Sequence, residues 1–174
     1  MSYSKGPIWA RPLWRIIHTI GVNFDPEKNC SSVHEFFHTL SMYIPCPFCK
    51  THYINFCRAN PINNVIHAKS TREEVFNWTV LLHNDVNRKL FKSFFDEKRA
   101  WNLYENNILS YTMLKQMITI LRMAFPSISN STSINKFIKT THVLQCETHG
   151  HEVSDIIKNE NQTSVLLHEF AKFH

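Results

Sequence analysis

Cys46 and Cys49 are separated by two residues in the segment IPCPFCKTHY. Such a pair binds a metal ion, closes a local disulfide or exchanges electrons with a partner dithiol. A structural zinc site needs four ligands, and the second half available here, Cys146 with His149 and His151, is distant in sequence. The chain has 5 cysteines, an odd count that argues against a static disulfide scaffold. Redox chemistry is therefore the favoured interpretation of the pair.

The cysteine pair is predicted to open a helix. Pro45 disfavours helix at the residue before it, so a preceding helix should end there. Pro47 suits the first turn of a helix, where its missing N–H is not needed, so a helix is predicted from about Cys46 to Ala59. Unpaired N–H groups at a helix start stabilise a negative sulfur, and we expect this position to lower the thiol pKa. The flanks show no βαβ pattern of the thioredoxin type.

The remaining helices are indicated by apolar spacing and capping patterns. Apolar residues recur at helical steps over residues 8–22, which predicts a first helix with one buried face. Capping-box patterns at Ser32 with Glu35, and at Thr71 with Glu74, predict the starts of the second and fourth helices. Short connections between four such helices favour an antiparallel bundle.

The helical pattern continues over residues 96–125 and is followed by a Ser/Asn-rich stretch, SISNSTSIN, with the composition of a linker. We therefore predict an all-α fold, with a four-helix bundle, a fifth helix and a C-terminal helical appendage. The predicted domains are residues 1–110 and residues 111–174, and the function of the second is left open.

Composition limits the class of protein. With 174 residues, 43% of them hydrophobic, the chain can bury a core, and its 3 glycines argue against a glycine-rich phosphate loop. No secretory leader and no apolar run of membrane-spanning length is seen, so no membrane partner is expected. The net charge of +5 suits nucleic acid, an acidic partner or an anionic cofactor. A basic nucleic-acid-binding or structural module without cofactor stands as the alternative to an enzyme.

Two further segments carry side chains suited to a planar ligand. His83, Asn87 and Leu90 lie near one face of the predicted fourth helix, and Trp14 and His18 are one turn apart on the first. An imidazole, an amide and an aromatic ring could hold a ligand by stacking and hydrogen bonds. A solvated face around His83, and a core role for Trp14 and His18, are the structural alternatives.

Taken together, the three segments resemble the Erv/ALR family of FAD-dependent sulfhydryl oxidases. The family pattern is W-x-x-x-H, then P-C-x-x-C at a helix start, then H-N-x-V-N-x-x-L. The chain carries these motifs in that order at residues 14–18, 45–49 and 83–90, and the resemblance covers about residues 6–105.

The resemblance implies an FAD-binding bundle, usually a homodimer, that forms disulfide bonds in partner proteins and passes the electrons to oxygen, giving hydrogen peroxide. Cys46 would exchange with the incoming dithiol, and Cys49 would lie against the flavin. The expected partners are a thiol-containing protein, thioredoxin-like or viral, and oxygen; neither nucleic acid nor a membrane is expected. No metal is implied.

The resemblance also implies a set of cofactor-binding residues on the first, third, fourth and fifth helices. Lys89 and Lys92 are expected near the pyrophosphate. Trp101 and Tyr104 are expected at the adenosine end, and Trp78 is as well explained by the core. The full set is Trp14, His18, Cys49, Trp78, His83, Asn84, Val86, Asn87, Lys89, Leu90, Lys92, Trp101 and Tyr104.

The chain departs from many cellular members in lacking their second cysteine pair. With no leader seen either, it is more similar to the compact oxidases of large cytoplasmic DNA viruses, which implies the cytoplasm, a virus factory or the virion. Cys57 is expected to be a buried thiol out of reach of the pair. Cys30 is expected to be structural or a surface thiol, and Cys146 is the candidate for a relay of electrons to Cys46.

Overall fold

A computed structural model of the chain describes residue 7 and residues 9–107. Within these residues there are five α-helices and no strand, which confirms the predicted all-α class. Short 3₁₀ turns follow the second helix, at Leu40–Met42, and precede the fourth, at Ile62–Asn64. The helices are α1, Ala10–Val22; α2, Cys30–Thr39; α3, Pro47–Ala59; α4, Arg72–Lys89; and α5, Glu97–Tyr104.

One hydrophobic core joins the first four helices. Ile16 on α1, Phe36 and Phe37 on α2 and Val75 on α4 are completely buried in it, and Phe56 reaches it from α3. A smaller cluster of Val22, Phe76, Val80 and Ala100 attaches α5 to α1 and α4. In the described part of the chain, no helix combines the length and the apolarity that crossing a membrane requires.

α1 and α4 approach each other closely at Gly21. A Cβ atom on Gly21 would lie 2.9 Å from the Thr79 side-chain methyl carbon and 3.3 Å from the Phe76 Cα. Only a residue without a side chain therefore fits between the two helices here. This close contact brings His18, one turn earlier on α1, to Thr79 and His83 on α4.

The start of α2 differs from the prediction. The capping box expected at Ser32 and Glu35 is wrong, because α2 already begins at Cys30 and Ser32 lies in its first turn. The residue before the helix, Asn29, forms no side-chain cap. Instead its side chain accepts a hydrogen bond from the Asp25 N–H and donates one to the Asn23 carbonyl, each at 2.9 Å. Asn29 thus braces the connection from α1, and its side chain is used there instead of capping α2.

The starts of α3 and α4 confirm the predictions. Cys46 is the residue that precedes α3, and Pro47 is its first residue. At α4, the Glu74 N–H donates to the Thr71 hydroxyl oxygen at 3.2 Å and the Thr71 N–H donates to the Glu74 carboxylate at 2.7 Å. These reciprocal bonds satisfy two otherwise unpaired N–H groups.

α4 ends in a reversed turn. Phe91 has a positive φ of 53° and is 99% exposed. Its N–H donates to the Arg88 carbonyl at 3.2 Å, and the Lys92 N–H donates to the Asn87 carbonyl at 2.9 Å. This is the Schellman pattern, with phenylalanine where glycine is usual. The reversal turns Lys92 back toward the face of α4 that carries Asn87.

α5 is the predicted fifth helix. The helical pattern of residues 96–125 is not realised without a break, because α5 ends at Tyr104 and residues 105–107 are not helical. The Asn23 side chain donates to the Asn107 carbonyl at 2.8 Å and holds this turn against the end of α1. The Ser/Asn-rich stretch and the predicted domain of residues 111–174 lie outside the described residues.

Candidate functional site

A cavity of about 870 Å³ lies between α1, α4, the start of α3 and the end of α5. This volume is within the range that holds drug-sized ligands and cofactors. Its walls are largely apolar, with Leu13 and Ile17 from α1 and Leu82 and Val86 from α4. A smaller and more open cavity of about 570 Å³ lies beside the loop that precedes α4, and none of the three sequence motifs contributes a cysteine or histidine to it.

The two cysteines of the pair stand in different environments. The Cys49 N–H donates to the Cys46 Sγ at 3.2 Å, so Cys46 caps α3 with its sulfur. Cys49 lies in the wall of the 870 Å³ cavity, whereas Cys46 does not line it. Both are free thiols here. The pair therefore connects the cavity to the protein surface.

The pKa of the Cys49 thiol is raised to about 11, first by burial and then by a hydrogen bond with the adjacent Cys46 sulfur and the charge of that sulfur. For Cys49, the expectation that the helix start lowers the thiol pKa is therefore wrong. The reason is that the Cys49 sulfur is withdrawn from water into the cavity wall, where the cost of desolvating a thiolate exceeds the help of the helix dipole.

His18 and His83 form a hydrogen-bonded chain with Thr79. The positions of the protons on both rings follow from the hydrogen bond that the Thr79 hydroxyl donates. The Thr79 hydroxyl donates to the Phe76 carbonyl at 2.6 Å, so its oxygen must accept from the His18 Nδ1 at 2.9 Å. His18 Nε2 is then an acceptor, and it accepts from the His83 Nδ1 at 2.9 Å. This assignment leaves the His83 Nε2 without a proton and able to accept a hydrogen bond from a ligand.

Both rings are held neutral. Burial lowers the pKa of His18 to about 3, helped by His83, and burial lowers that of His83 to about 4, helped by Lys92. His18 is completely buried behind the cavity wall, while His83 lines the cavity. His18 therefore orients His83, and His83 is the ring that a ligand could touch.

Aromatic rings pack against both histidines. Trp14 stacks on His83 with ring centroids 4.0 Å apart and an interplanar angle of 4°. Tyr104 of α5 lies 4.9 Å from the His18 ring and also lines the cavity. The sequence-predicted residues Trp14, His83 and Tyr104 are thus brought together. Flat, parallel ring faces of this kind suit a planar aromatic ligand.

Three cationic side chains line the cavity, and only one of them was predicted. Lys92 lines it, after the reversed turn that ends α4, while Lys89 is exposed and is not among the lining residues. Arg11 and Arg15, one turn apart on α1, supply the other two charges. The sequence analysis missed both arginines. Their spacing of four residues, with Trp14 three residues after Arg11, places all three near one face of α1 and could have identified them.

The two asparagines of the H-N-x-V-N motif have different positions. Asn87 is nearly buried and lines the cavity, with its side-chain nitrogen 3.5 Å from the Asn84 Oδ1. Asn84 does not line it. Its amide group pairs in both directions with the Phe95 backbone, donating to the carbonyl at 2.8 Å and accepting from the N–H at 2.7 Å. Asn84 therefore secures the loop between α4 and α5.

Two predicted tryptophans lie away from the cavity. Trp78 is buried in the core edge-on to Phe37 and Phe56, as its structural alternative stated. Trp101 packs edge-on against Phe76, and Arg72 lies 5.1 Å from its ring centroid. Val86 and Leu90, by contrast, line the cavity as predicted residues. Tyr53 and Asn107 line it too, and neither belongs to a recognisable motif.

The helix that carries the cysteines is tied to α4 by a partly buried pair. His52, one turn after Cys49, bonds through its Nε2 to the Asp85 carboxylate, and Arg88 pairs with the other oxygen of that carboxylate. The His52 and Asp85 side chains are only 12% and 15% exposed. This pair holds α3 against the α4 face that lines the cavity.

The remaining cysteines take no part in the described site. Cys57 lies near the end of α3, which is a continuous helix, so eight residues separate it from Cys49 by about 12 Å along the axis. Burial raises the pKa of Cys57 and of Cys30. Both pack partly against the hydrophobic core. Cys146 lies outside the described residues, so its role as a relay stays a prediction.

Comparison with known proteins identifies the family of the chain. The model of the family described as Erv1 / Alr matches residues 11–106, more than half of the chain. The FAD-linked sulfhydryl oxidase of African swine fever virus, isolate Pig/Kenya/KEN-50/1950, is 27% identical over 104 residues, which cover 58% of this chain and 83% of that protein. The FAD-linked sulfhydryl oxidase ERV1 of Arabidopsis thaliana is 32% identical over 105 residues, covering 56% of this chain and 52% of that protein. No solved structure matches the chain significantly. The chain, whose three ordered motifs predicted this relationship, belongs to the Erv1/Alr family.

Proposed function

We propose that the chain is an FAD-dependent thiol oxidase that forms disulfide bonds in protein substrates through Cys46 and Cys49 and transfers the electrons to oxygen, giving hydrogen peroxide. The relatives named as FAD-linked sulfhydryl oxidases support the FAD and the thiol oxidase activity. The observation that carries the proposal is the position of the pair, with Cys49 in the cavity wall and Cys46 outside it.

The residues present fit FAD. Trp14, stacked flat on His83, offers ring faces for the planar parts of the cofactor, and His83 offers an acceptor nitrogen. Arg11, Arg15 and Lys92 provide positive charge for the pyrophosphate. Leu82 and Val86 add apolar surface to the cavity that Cys49 also lines. We assign the binding to the residues that line the cavity. The other predicted residues would have to move to touch the cofactor, and these are His18, Trp78, Asn84, Lys89 and Trp101.

The chemistry of the pair follows from the two environments. A substrate thiolate attacks the Cys46 sulfur of the Cys46–Cys49 disulfide, Cys49 leaves, and a second substrate thiol displaces Cys46. The substrate dithiol loses two electrons and two protons, and the pair becomes a dithiol. The cavity that Cys49 lines would hold FAD, which would supply the two-electron acceptor for the reduced pair and the link to oxygen, whose reduction takes up the two protons. Cys46 serves the surface and Cys49 the cavity.

We also propose a protein substrate, an oligomeric state and a location for the chain. A thioredoxin-like or viral dithiol protein is the proposed substrate, and the chain is proposed to act as a homodimer. Relatives from African swine fever virus support a place in the cytoplasm, in a virus factory or in the virion. The proposed catalytic domain is residues 1–110.

Two cysteine variants and a matched control test the proposed roles. Cys49→Ser should keep its yellow colour, with absorbance near about 450 nm, and lose dithiothreitol-dependent oxygen consumption, because the thiol that faces the cavity is removed. Cys46→Ser should also retain FAD but lose oxidation of protein dithiols. Cys57→Ser, on the same helix but outside the site, should behave as the unchanged protein. Near-normal oxygen consumption by Cys49→Ser, or a colourless folded protein, would contradict the proposal.

A further inference from the structure

The residue between the two cysteines is an exposed aromatic ring. Phe48 is 88% exposed in the first turn of α3, while Cys49 beside it points into the cavity wall. Pro47, the other intervening residue, is exposed as well. A single exposed hydrophobic residue is ordinary on a protein surface. Phe48 differs because a protein substrate must bind next to it in order to react with Cys46.

A disulfide constrains the two chains that it joins. The Cα atoms of two bonded cysteines lie about 4.4–6.8 Å apart. Phe48 is two residues from Cys46, so their Cα atoms are at most about 7.6 Å apart. The Cα of a substrate cysteine joined to Cys46 therefore lies at most about 14 Å from the Phe48 Cα, a span that the exposed Phe48 ring and an apolar side chain of the substrate can bridge together. Dithiothreitol has no polypeptide flanking its sulfurs, so it has no neighbouring side chain that could contact Phe48.

We propose that Phe48 is a specificity-determining residue that binds an apolar side chain next to the reactive cysteine of the protein substrate. The proposal rests on the proposed function, because it requires the mixed disulfide at Cys46. In that intermediate, the substrate sulfur is bonded to Cys46 and Cys49 has left, so no further oxidant or reductant is needed. An apolar neighbour of the substrate cysteine would cover the ring and remove both apolar surfaces from water.

The test compares two reduced synthetic peptides that share a Cys-Gly-Gly-Cys core, one flanked by leucine and the other by serine. The measured quantity is the ratio of kcat/KM for the leucine peptide to that for the serine peptide. We expect Phe48→Ala to lower this ratio about fivefold, which corresponds to about 1 kcal/mol, mainly through KM. Phe48→Leu should restore most of it. Phe94→Ala, which removes another exposed phenylalanine, is the matched control and should keep the original ratio.

An unchanged ratio in Phe48→Ala would overturn the proposal. So would an equal loss on both peptides, which would mean that Phe48 acts on the cysteine pair itself; the reduction potential of the Cys46–Cys49 disulfide, measured against glutathione, separates that outcome. Failure of the proposed function gives a different result, because Cys46→Ser would then oxidise both peptides as well as the unchanged protein does, whatever residue stands at position 48.

Discussion

The imidazole rings of His18 and His83 are joined directly, with the His83 Nδ1 2.9 Å from the His18 Nε2. Because the Thr79 hydroxyl donates to the Phe76 carbonyl, this chain has one consistent assignment in which both rings are neutral. A proton added to His18 breaks it, since its Nε2 would then be a donor facing the His83 Nδ1 donor, whereas a proton added to His83 enters at its unprotonated Nε2 and leaves this bond in place. The structural link between α1 and α4 is therefore sensitive to acid.

The first prediction concerns this sensitivity. The pKa of each ring is lowered in the fold, to about 3 for His18 and about 4 for His83, from an ordinary 6.5. Below pH 6.5 the unfolded chain binds protons that the folded chain does not, so stability falls as the pH falls from about 6.5 toward about 4. At pH 5 we expect a loss of about 2 kcal/mol for each ring. Urea unfolding at pH 7 and pH 5, with saturating FAD, measures it.

A control separates these rings from other histidines. His83→Gln should reduce the pH dependence, while replacement of His38, which is exposed, should leave it unchanged. Most carboxylates are still ionised at pH 5, so they contribute little in this window. Equal unfolding free energies at pH 7 and pH 5 in the unchanged protein would contradict the assignment.

The second prediction concerns the order in which the cysteines react. With a pKa of about 11, Cys49 in the reduced protein carries roughly a hundredth of the thiolate of an ordinary thiol at pH 8, so iodoacetamide should modify it at least about tenfold more slowly. In Cys46→Ser the adjacent sulfur is absent, and the rate at Cys49 should rise. Mass spectrometry of the α3 peptide gives both rates. Modification of Cys49 at the ordinary rate in the unchanged protein would refute the raised pKa.

The sequence predicts the local part of this architecture well. The start of α3 at Pro47 and the capping box at Thr71 and Glu74 depend on neighbouring residues, and both are confirmed. The false capping box at Ser32 shows the limit, because α2 already begins at Cys30 and the preceding Asn29 uses its side chain in the connection from α1.

In the candidate site, too, the sequence predicts the residues that belong to motifs but not the positions that depend on packing between elements. Trp14 and His83 could be selected by motif, and the structure stacks them. Which lysine lines the cavity depends on the reversed turn at Phe91, and periodicity does not reveal such a turn. The anchoring role of Asn84 depends on the path of a loop eleven residues later. Such features arise from packing between elements.

The third prediction tests the close contact of α1 and α4. Gly21→Ala places a methyl group 2.9 Å from the Thr79 methyl carbon, so the helices must separate. We expect a loss of about 1–3 kcal/mol, despite the better helix propensity of alanine. The FAD content should fall too, because Thr79 anchors His18. Adding Thr79→Ser removes the clashing methyl but keeps the hydroxyl, and should recover part of the stability. Thermal unfolding of the single and double variants decides; a fully stable Gly21→Ala protein would contradict the contact.

The fourth prediction concerns the end of α4. Phe91 holds a left-handed backbone conformation that costs a non-glycine residue about 1 kcal/mol, and its fully exposed ring makes up little of that cost. Phe91→Gly should therefore stabilise the protein by about 0.5–1 kcal/mol. Lys89→Gly, two residues earlier in ordinary helix, should destabilise it by a similar amount. If both variants lose stability in urea unfolding, the reversed turn is not strained as described.

The fifth prediction concerns the pair that joins α3 to α4. His52 and Asp85 are mostly buried, so removing either leaves a polar group that has lost its partner. His52→Ala and Asp85→Ala should each lower the unfolding free energy by about 1–3 kcal/mol. The double variant should lose less than the sum, with a coupling of about 1 kcal/mol. Because α3 carries Cys49 at the cavity wall, both single variants should also bind FAD more weakly in equilibrium dialysis. Lys50→Ala, an exposed change on the same helix, is the control and should alter neither quantity. Additive losses in the double variant would mean that the two side chains stabilise their helices separately and that the bond between them does not hold α3 in place.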